Sequence, residues 1–187
     1  MENETHVSPW KLLVKNWERY YRPPGRPSEE AIRVYRKHSQ VIFRAIKARK
    51  PRVLILGSTP ELRDLMFELG AEITIADLHK EMVYGLKNIM KHKKQAAENI
   101  VIGEWSRIKL PTSYFDLIVS DIALANVPYN RQNLFLENMR KSLSAEGRFI
   151  QKMEVIPANW RFENAEKTLQ RFCGLRPYRN QAFEMIL

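Results

Sequence analysis

The chain opens with apolar residues at helical spacing. Trp10, Leu13, Val14, Trp17, Tyr20 and Tyr21 recur at three- and four-residue intervals, which predicts one apolar face of a helix. Arg22-Pro23-Pro24-Gly25-Arg26-Pro27 interrupts it as a rigid extended turn, since proline fixes φ and has no backbone donor. Ser28 then suits an N-cap, and Glu29 and Glu30 suit the positive pole of a helix start. A second helix is predicted over residues 29–48, with Ile32, Tyr35, Ile42 and Ile46 on its buried side.

From residue 52 the pattern changes to short apolar runs alternating with helical stretches. Residues 52–56 form a buried strand ended by Gly57. Thr59 or Ser58 can cap a helix with Pro60 at its first position, Leu62, Leu65, Met66 and Leu69 on one face, and Gly70 at its end. A second strand covers 72–76 and ends at Asp77, and a helix follows over 80–91. Strands are predicted over 99–102 and 115–120, the latter ending at Asp121. Leu134, Phe135, Met139 and Leu143 mark a helix over 131–143, followed by a turn over 144–147, a fifth strand over 148–155 and a helix over 163–173. This order predicts an α/β fold, a three-layer, mostly parallel sheet with helices on both faces, preceded by a helical N-terminal extension.

In such sheets ligands sit at the carboxyl ends of the strands. That singles out residues 57–61, Asp77, 103–105 and 121–126. A glycine between a strand and a helix start allows close approach to unpaired backbone N–H groups. An acid ending the second strand, as Asp77 does, commonly accepts from ribose hydroxyls. The pair points to an adenosine-containing ligand. A dinucleotide is disfavoured: Gly57-Ser58-Thr59-Pro60-Glu61 lacks the G-x-G-x-x-G pattern, and Pro60 and Glu61 remove a donor and add a negative charge where a pyrophosphate would lie. Glu104 can accept an adenine amine and Trp105 can stack on its ring, although Trp105 also suits a core position.

Composition narrows the class. The chain has 187 residues, 44% hydrophobic, which suffices for one domain with a sizeable core. No apolar run is long enough for a membrane span, the polar start is unlike a secretory signal, and a cytoplasmic location is expected. One cysteine, Cys173, excludes a disulfide framework and a Cys-cluster zinc site; no metal is expected. The net charge of +10 is uneven: residues 1–52 hold 13 Lys/Arg against 5 Asp/Glu, a net of +8, while the remainder nets +2. The organisation expected is therefore a basic helical extension over 1–51, either packed on the body or acting as a lid, and a ligand-binding domain over 52–187. Its charge speaks to partner or substrate more than to chemistry.

The runs Val53-Leu54-Ile55-Leu56-Gly57-Ser58-Thr59-Pro60-Glu61-Leu62, Ile73-Thr74-Ile75-Ala76-Asp77-Leu78-His79-Lys80-Glu81-Met82, Gly103-Glu104-Trp105, Tyr114-Phe115-Asp116-Leu117-Ile118-Val119-Ser120-Asp121 and Leu143-Ser144-Ala145-Glu146-Gly147-Arg148-Phe149 carry a resemblance. In this order and spacing the chain resembles a class I, Rossmann-like S-adenosylmethionine-dependent methyltransferase, in the branch whose first motif reads Leu-Gly-x-Thr-Pro-Glu-Leu. The leader, with its Trp/Tyr helix, is similar to that branch too. The resemblance implies S-adenosylmethionine as cofactor. It implies that Gly57, with the backbone of Ser58 and Thr59, borders the methionine part, that Glu61 is among the cofactor-binding residues, and that Asp77 holds the ribose. Leu78 and Met82 would flank adenine, Glu104 would take its amine with Trp105 beside the ring, and Asp121 would face the methionine end and the acceptor. Ile55 stands where many members carry an acid, and Thr59 and Glu61 replace two glycines, which puts full cofactor affinity in question.

Methyl transfer asks mainly for positioning, with proton removal where the acceptor needs it, so a base is poorly encoded. Asp121 and Tyr129 are candidates, with His38 behind them. Asp121 also suits an orienting role, Tyr129 packing, and His38 and His79 a helix surface. Asn126-Val127-Pro128-Tyr129 resembles the Asn-Pro-Pro-Tyr of methyltransferases acting on exocyclic or amide nitrogens, but it lies five residues past the expected strand end and has Val for the first Pro. A small-molecule acceptor is favoured. The alternatives are RNA, held by the basic leader together with Lys87, Lys91, Lys93 and Lys94, and a non-catalytic cofactor-binding or interaction domain. The family's sheet usually continues with a hairpin, whereas this chain closes on residues 181–187. The C-terminal strands are therefore expected to be missing, leaving an edge that a second copy of the chain would cover.

Overall fold

The computed structural model describes residues 9–153; the chain divides into two compact units, 1–153 and 154–187, and the described residues all belong to the first. The leader forms α1 (Pro9–Lys15), α2 (Trp17–Tyr20) and α3 (Glu29–Arg44). The body follows as β1 (Arg52–Leu56), α4 (Pro60–Glu68), β2 (Glu72–Asp77), α5 (Lys80–Lys87), β3 (Glu98–Ile102), β4 (Phe115–Asp121), two 3-10 turns at Leu124–Asn126 and Tyr129–Arg131, α6 (Gln132–Ser142) and β5 (Leu143–Lys152). The strands make one five-stranded sheet in the order β3-β2-β1-β4-β5, and every pairing is parallel. This is the Rossmann-like α/β architecture expected from the sequence.

Alternation along β1 and β4 builds the core on both faces. Val53, Ile55, Leu117 and Val119 pack with Tyr35 of α3, Leu62, Leu65 and Met66 of α4, and Val83 of α5. Leu54, Leu56 and Ile118 point the other way, to Phe135 and Met139 of α6. Ile55 is fully buried in the first of these clusters.

Four boundaries differ clearly from expectation, three of them for a local reason. The first helix is broken at Asn16, whose side-chain amide donates to Leu12 O (2.9 Å) and ends the first turn run. α5 stops at Lys87 rather than near 91, because the Asp64 carboxylate accepts from Lys91 N (3.0 Å) and His92 N (2.9 Å) and pulls that stretch out of the helix. The expected turn over 144–147 is absorbed into β5 as a bulge: Phe115 pairs with Leu143, but Leu117 already pairs with Arg148. Gly147 is needed there, since a Cβ would lie 2.8 Å from Phe115 O. α3 also ends early, at Arg44, leaving Ile46 outside it. The strand residues expected beyond Met153, the helix over 163–173 and the closing apolar segment lie outside the described residues.

Two ionic clusters fix the frame. Arg63 of α4, fully buried, donates from Nε and Nη2 to the two oxygens of Glu98 (2.8 and 2.7 Å) and from Nη1 to Val83 O (2.9 Å), tying α4, α5 and β3 together. Burial pushes the Glu98 carboxyl up, but the bonds and charge of Arg63, joined by Lys87, outweigh it and hold it below its usual range. At the amino ends of β1 and β4, buried Asp116 receives both nitrogens of Arg49 (2.6 and 2.9 Å) and Arg52 N (2.8 Å). Burial again opposes, and again the Arg49 hydrogen bonds win, so the Asp116 carboxyl is lowered.

Removing one partner of a buried pair strands the other. Arg63→Ala is expected to cost about 3–5 kcal/mol in urea unfolding, with much of it regained when Glu98→Leu is added. Asp116 gives a pH signature. Its folded value lies below the unfolded one of about 3.9, so its stabilisation is complete above that pH and is lost as pH falls through the folded value. Asp116→Asn should therefore be less stable than wild type at pH 7, with the gap closing in acid.

Candidate functional site

The carboxyl ends of β1, β2 and β4 meet at one edge of the sheet, and the residues singled out in the sequence collect there. β1 leaves the sheet through Gly57, whose φ of 86° lies in the left-handed region that suits glycine. A side chain at Gly57 would also face the Trp105 ring, with Cζ2 4.0 Å from an ideal Cβ. Gly57 N donates to Ala76 O (2.8 Å), and the Trp105 indole donates to the same carbonyl (2.8 Å), so one acceptor at the end of β2 holds both. Ser58 Oγ donates to Asp77 Oδ2 (2.6 Å) and His79 N to Oδ1 (2.9 Å). Each Asp77 oxygen thus has one internal donor and one direction fixed. The structure brings Gly57, Ser58, Asp77 and Trp105 together.

Others sit differently. Leu78 is 53% exposed beside Asp77, whereas Met82 is buried with Trp17 and Leu86. Glu104 is engaged: both its oxygens accept from Arg131 Nη1 (2.8 Å each), and Oε1 accepts from Ser106 Oγ (2.6 Å). The Ser106 hydrogen bond, then Arg131, holds its carboxyl below the usual range. Thr59 provides no side-chain cap to α4, leaving Pro60 to open the helix. Tyr129, on a 3-10 turn, is 90% exposed and packs against none of the core clusters among the described residues. His38 is exposed on α3, and the His79 ring lies 4.4 Å from that of Trp10.

Asp121 ends β4 with its side chain only 3% exposed and Lys152 Nζ 2.7 Å from Oδ1. Lys152, at the end of β5, donates from the same ammonium to Pro24 O (2.7 Å) and so ties the proline turn of the leader to the site. Tyr35 Oη donates to Ser120 O (2.6 Å) and accepts from Lys152 N (2.9 Å). Burial first, and the Asp121 charge second, raise the Tyr35 and Tyr21 hydroxyls, which disfavours either as a base. Arg26 forms an ion pair with Glu61, the second residue of α4. The aromatic stripe of the leader packs on the body: Trp17 is 6% exposed, stacks on Tyr21 (4.1 Å between centroids) and covers Met82 and Leu86.

Sequence reasoning missed Arg26, Lys152 and Arg131. Each is one basic residue among many, and only its tertiary partner distinguishes it. The lysine cluster after α5 is partly engaged locally: Lys87 Nζ donates to Ala96 O (3.0 Å) and Lys93 Nζ to Asn88 O (2.9 Å) at the helix C-terminus. Among the described residues no helix is long and apolar enough to cross a membrane.

The methyltransferase domain family matches residues 56–151, from the last residue of β1 to the penultimate residue of β5. This chain belongs to that family. Among solved structures, it is similar to the CcbJ methyltransferase of Streptomyces caelestis (16% identity, TM-score 0.55, covering 74% of this chain and 54% of that one). It is also similar to the PH0226 protein of Pyrococcus horikoshii OT3 (14% identity, TM-score 0.51, 66% and 58%). The likeness thus spans little more than half of those proteins, and at this identity it concerns the fold. A search of curated proteins returns no match.

In this methyltransferase-family chain the seat of the leader has one close point. A Cβ at Gly85 of α5 would lie 2.5 Å from Val14 Cγ1 of α1. Alanine also improves helix propensity there by about 1 kcal/mol. Gly85→Ala should therefore leave the urea midpoint of the body unchanged or raised while making residues 9–21 more susceptible to limited proteolysis, and adding Val14→Ala should restore protection.

Proposed function

We propose that this chain binds S-adenosylmethionine and transfers its methyl group to a small-molecule acceptor. The observation that carries the reading is Asp77, fixed by Ser58 and His79 N at the end of β2, opposite the Gly57 turn. A carboxylate has about four acceptor positions. With one internal donor on each oxygen, Asp77 keeps capacity for two ribose hydroxyls in a set direction. Family membership supports the same chemistry.

The residues present fit the cofactor. Gly57, Ser58 and Thr59 would border the methionine part, with Glu61 just beyond. Exposed Leu78 would lie against adenine, with Trp105, held by Ala76 O, beside the ring and Met82 walling the pocket beneath Trp17. Glu104 would accept the adenine amine while keeping Arg131, which orients it. S-Adenosylmethionine supplies an electrophilic methyl group on a sulfonium. The protein's part is then to orient, to exclude water and to hold charge. Asp121, ion-paired with Lys152, suits an orienting role toward the acceptor. Tyr129 has no role in this reading.

A small acceptor is favoured because the proline turn of the leader crosses this edge, tied through Lys152 to Asp121 and through Arg26 to Glu61. A polymer would have to displace it. RNA binding that falls steeply with salt would instead point to the basic leader.

Calorimetry tests the cofactor. Wild type should bind S-adenosylmethionine, and Asp77→Ala should weaken binding about tenfold to a hundredfold through lost charged hydrogen bonds. No binding to wild type would overturn the reading.

A further inference from the structure

Arg26 and Glu61 join two parts of the chain that are distant in sequence and chemically unlike. Arg26 belongs to the proline turn of the leader; Glu61 opens α4 just after the turn that leaves β1. Their side chains are only 25% and 19% exposed. Both Glu61 oxygens are buried, and neither has a hydrogen-bond partner among the described residues beyond the ion pair with Arg26. A carboxylate so withdrawn from water leaves most of its acceptor capacity unused, which is costly unless a further donor arrives. Arg26 likewise spends little of its donor fork elsewhere: Nη1 reaches Tyr21 O only at 3.5 Å. The pair is under-bonded on both sides, and it lies at the edge where Gly57 and Asp121 end adjacent strands.

We propose that the Arg26–Glu61 pair is the receptor for a zwitterionic amino-acid group, the α-carboxylate going to Arg26 and the α-ammonium to Glu61. The inference rests on the cofactor reading above, since S-adenosylmethionine carries such a group. The electrostatic logic is balance. A zwitterion inserted into an ion pair exchanges one pair of opposite charges for two, and no net charge is added to a half-dry site. A ligand with only the ammonium would leave the guanidinium without its partner, and one with only the carboxylate would leave Glu61 so. The Arg fork also suits a planar carboxylate in two-point contact. Glu61, which replaces a family glycine, thereby acquires a purpose: it brings the leader's arginine to the methionine end. Ligand recognition and seating of the leader then share one residue.

Three ligands separate this from simpler accounts. S-Adenosylhomocysteine carries the amino-acid group, its decarboxylated form keeps only the amine, and 5′-methylthioadenosine has neither. By calorimetry, wild type should bind S-adenosylhomocysteine more tightly than the other two. Arg26→Ala should reduce that preference by about tenfold to a hundredfold, leave 5′-methylthioadenosine binding unchanged, and so report a folded adenosine site. Arg26→Lys should keep part of the preference. Equal weakening of all three ligands by Arg26→Ala would overturn the proposal in favour of simple leader packing. So would unchanged binding of S-adenosylhomocysteine, or a wild type that binds 5′-methylthioadenosine as tightly, in which case the adenosine reading still stands. A wild type that binds none of the three overturns both readings together.

Discussion

β1 is buried on both faces, and that constraint organises the molecule. Val53, Leu54, Ile55 and Leu56 are at most 1% exposed, with helices of the two layers packed against alternate residues. A strand enclosed in this way cannot offer a side chain to a ligand from its length. Only its carboxyl end is left open, where Leu56 runs into Gly57. The neighbouring strands β2 and β4 each end on a carboxylate, Asp77 and Asp121. The central strands of the parallel sheet thus leave their charged side chains to their ends.

Buried charge at that edge is made tolerable by partners drawn from outside the sheet's central strands. Asp77 is held by a hydroxyl and a backbone N–H from the turns beside it, Asp121 by the lysine that ends β5, Glu61 by an arginine of the leader. The opposite end of the sheet uses the same solution for a structural purpose, with Asp116 gathering Arg49 and Arg52 N. The leader's basic character, so marked in the sequence, is partly accounted for by these acids: Arg26, Arg36 and Arg49 each pair with a carboxylate of the body.

Much of this was legible in sequence where a local rule governs. β1 matches expectation residue for residue because periodicity and Gly57 bound it on both sides; β4 runs one residue further, through Asp121 itself. Asp77 was legible because strand-end acids are a positional signal. What was not legible depends on contacts between distant residues. Nothing near Lys91 announces that Asp64 will take its amide, and nothing in residues 144–147 tells a turn from a bulge whose partner strand is thirty residues earlier. Glu104 shows the same limit from the other side. Its position was readable, but its engagement with Arg131 needs the loop after β4 to fold back over β3.

The leader is fastened in series: Val14 against Gly85, Arg26 to Glu61, Lys152 to Pro24 O, Tyr35 to Ser120 O, and Arg49 to Asp116. These ties are spread along the segment rather than gathered at one point. The ties nearest the amino end are side-chain packing, the largely buried Arg26–Glu61 pair and the Lys152 bond to Pro24 O, while α3 is held by a buried tyrosine and the stretch after it by a bidentate arginine. Ser28, where α3 begins, divides two kinds of attachment: residues 9–27 rest on side-chain packing and two polar ties at the carboxyl edge of the sheet, and α3 on the buried Tyr35 hydroxyl that joins β4 to β5.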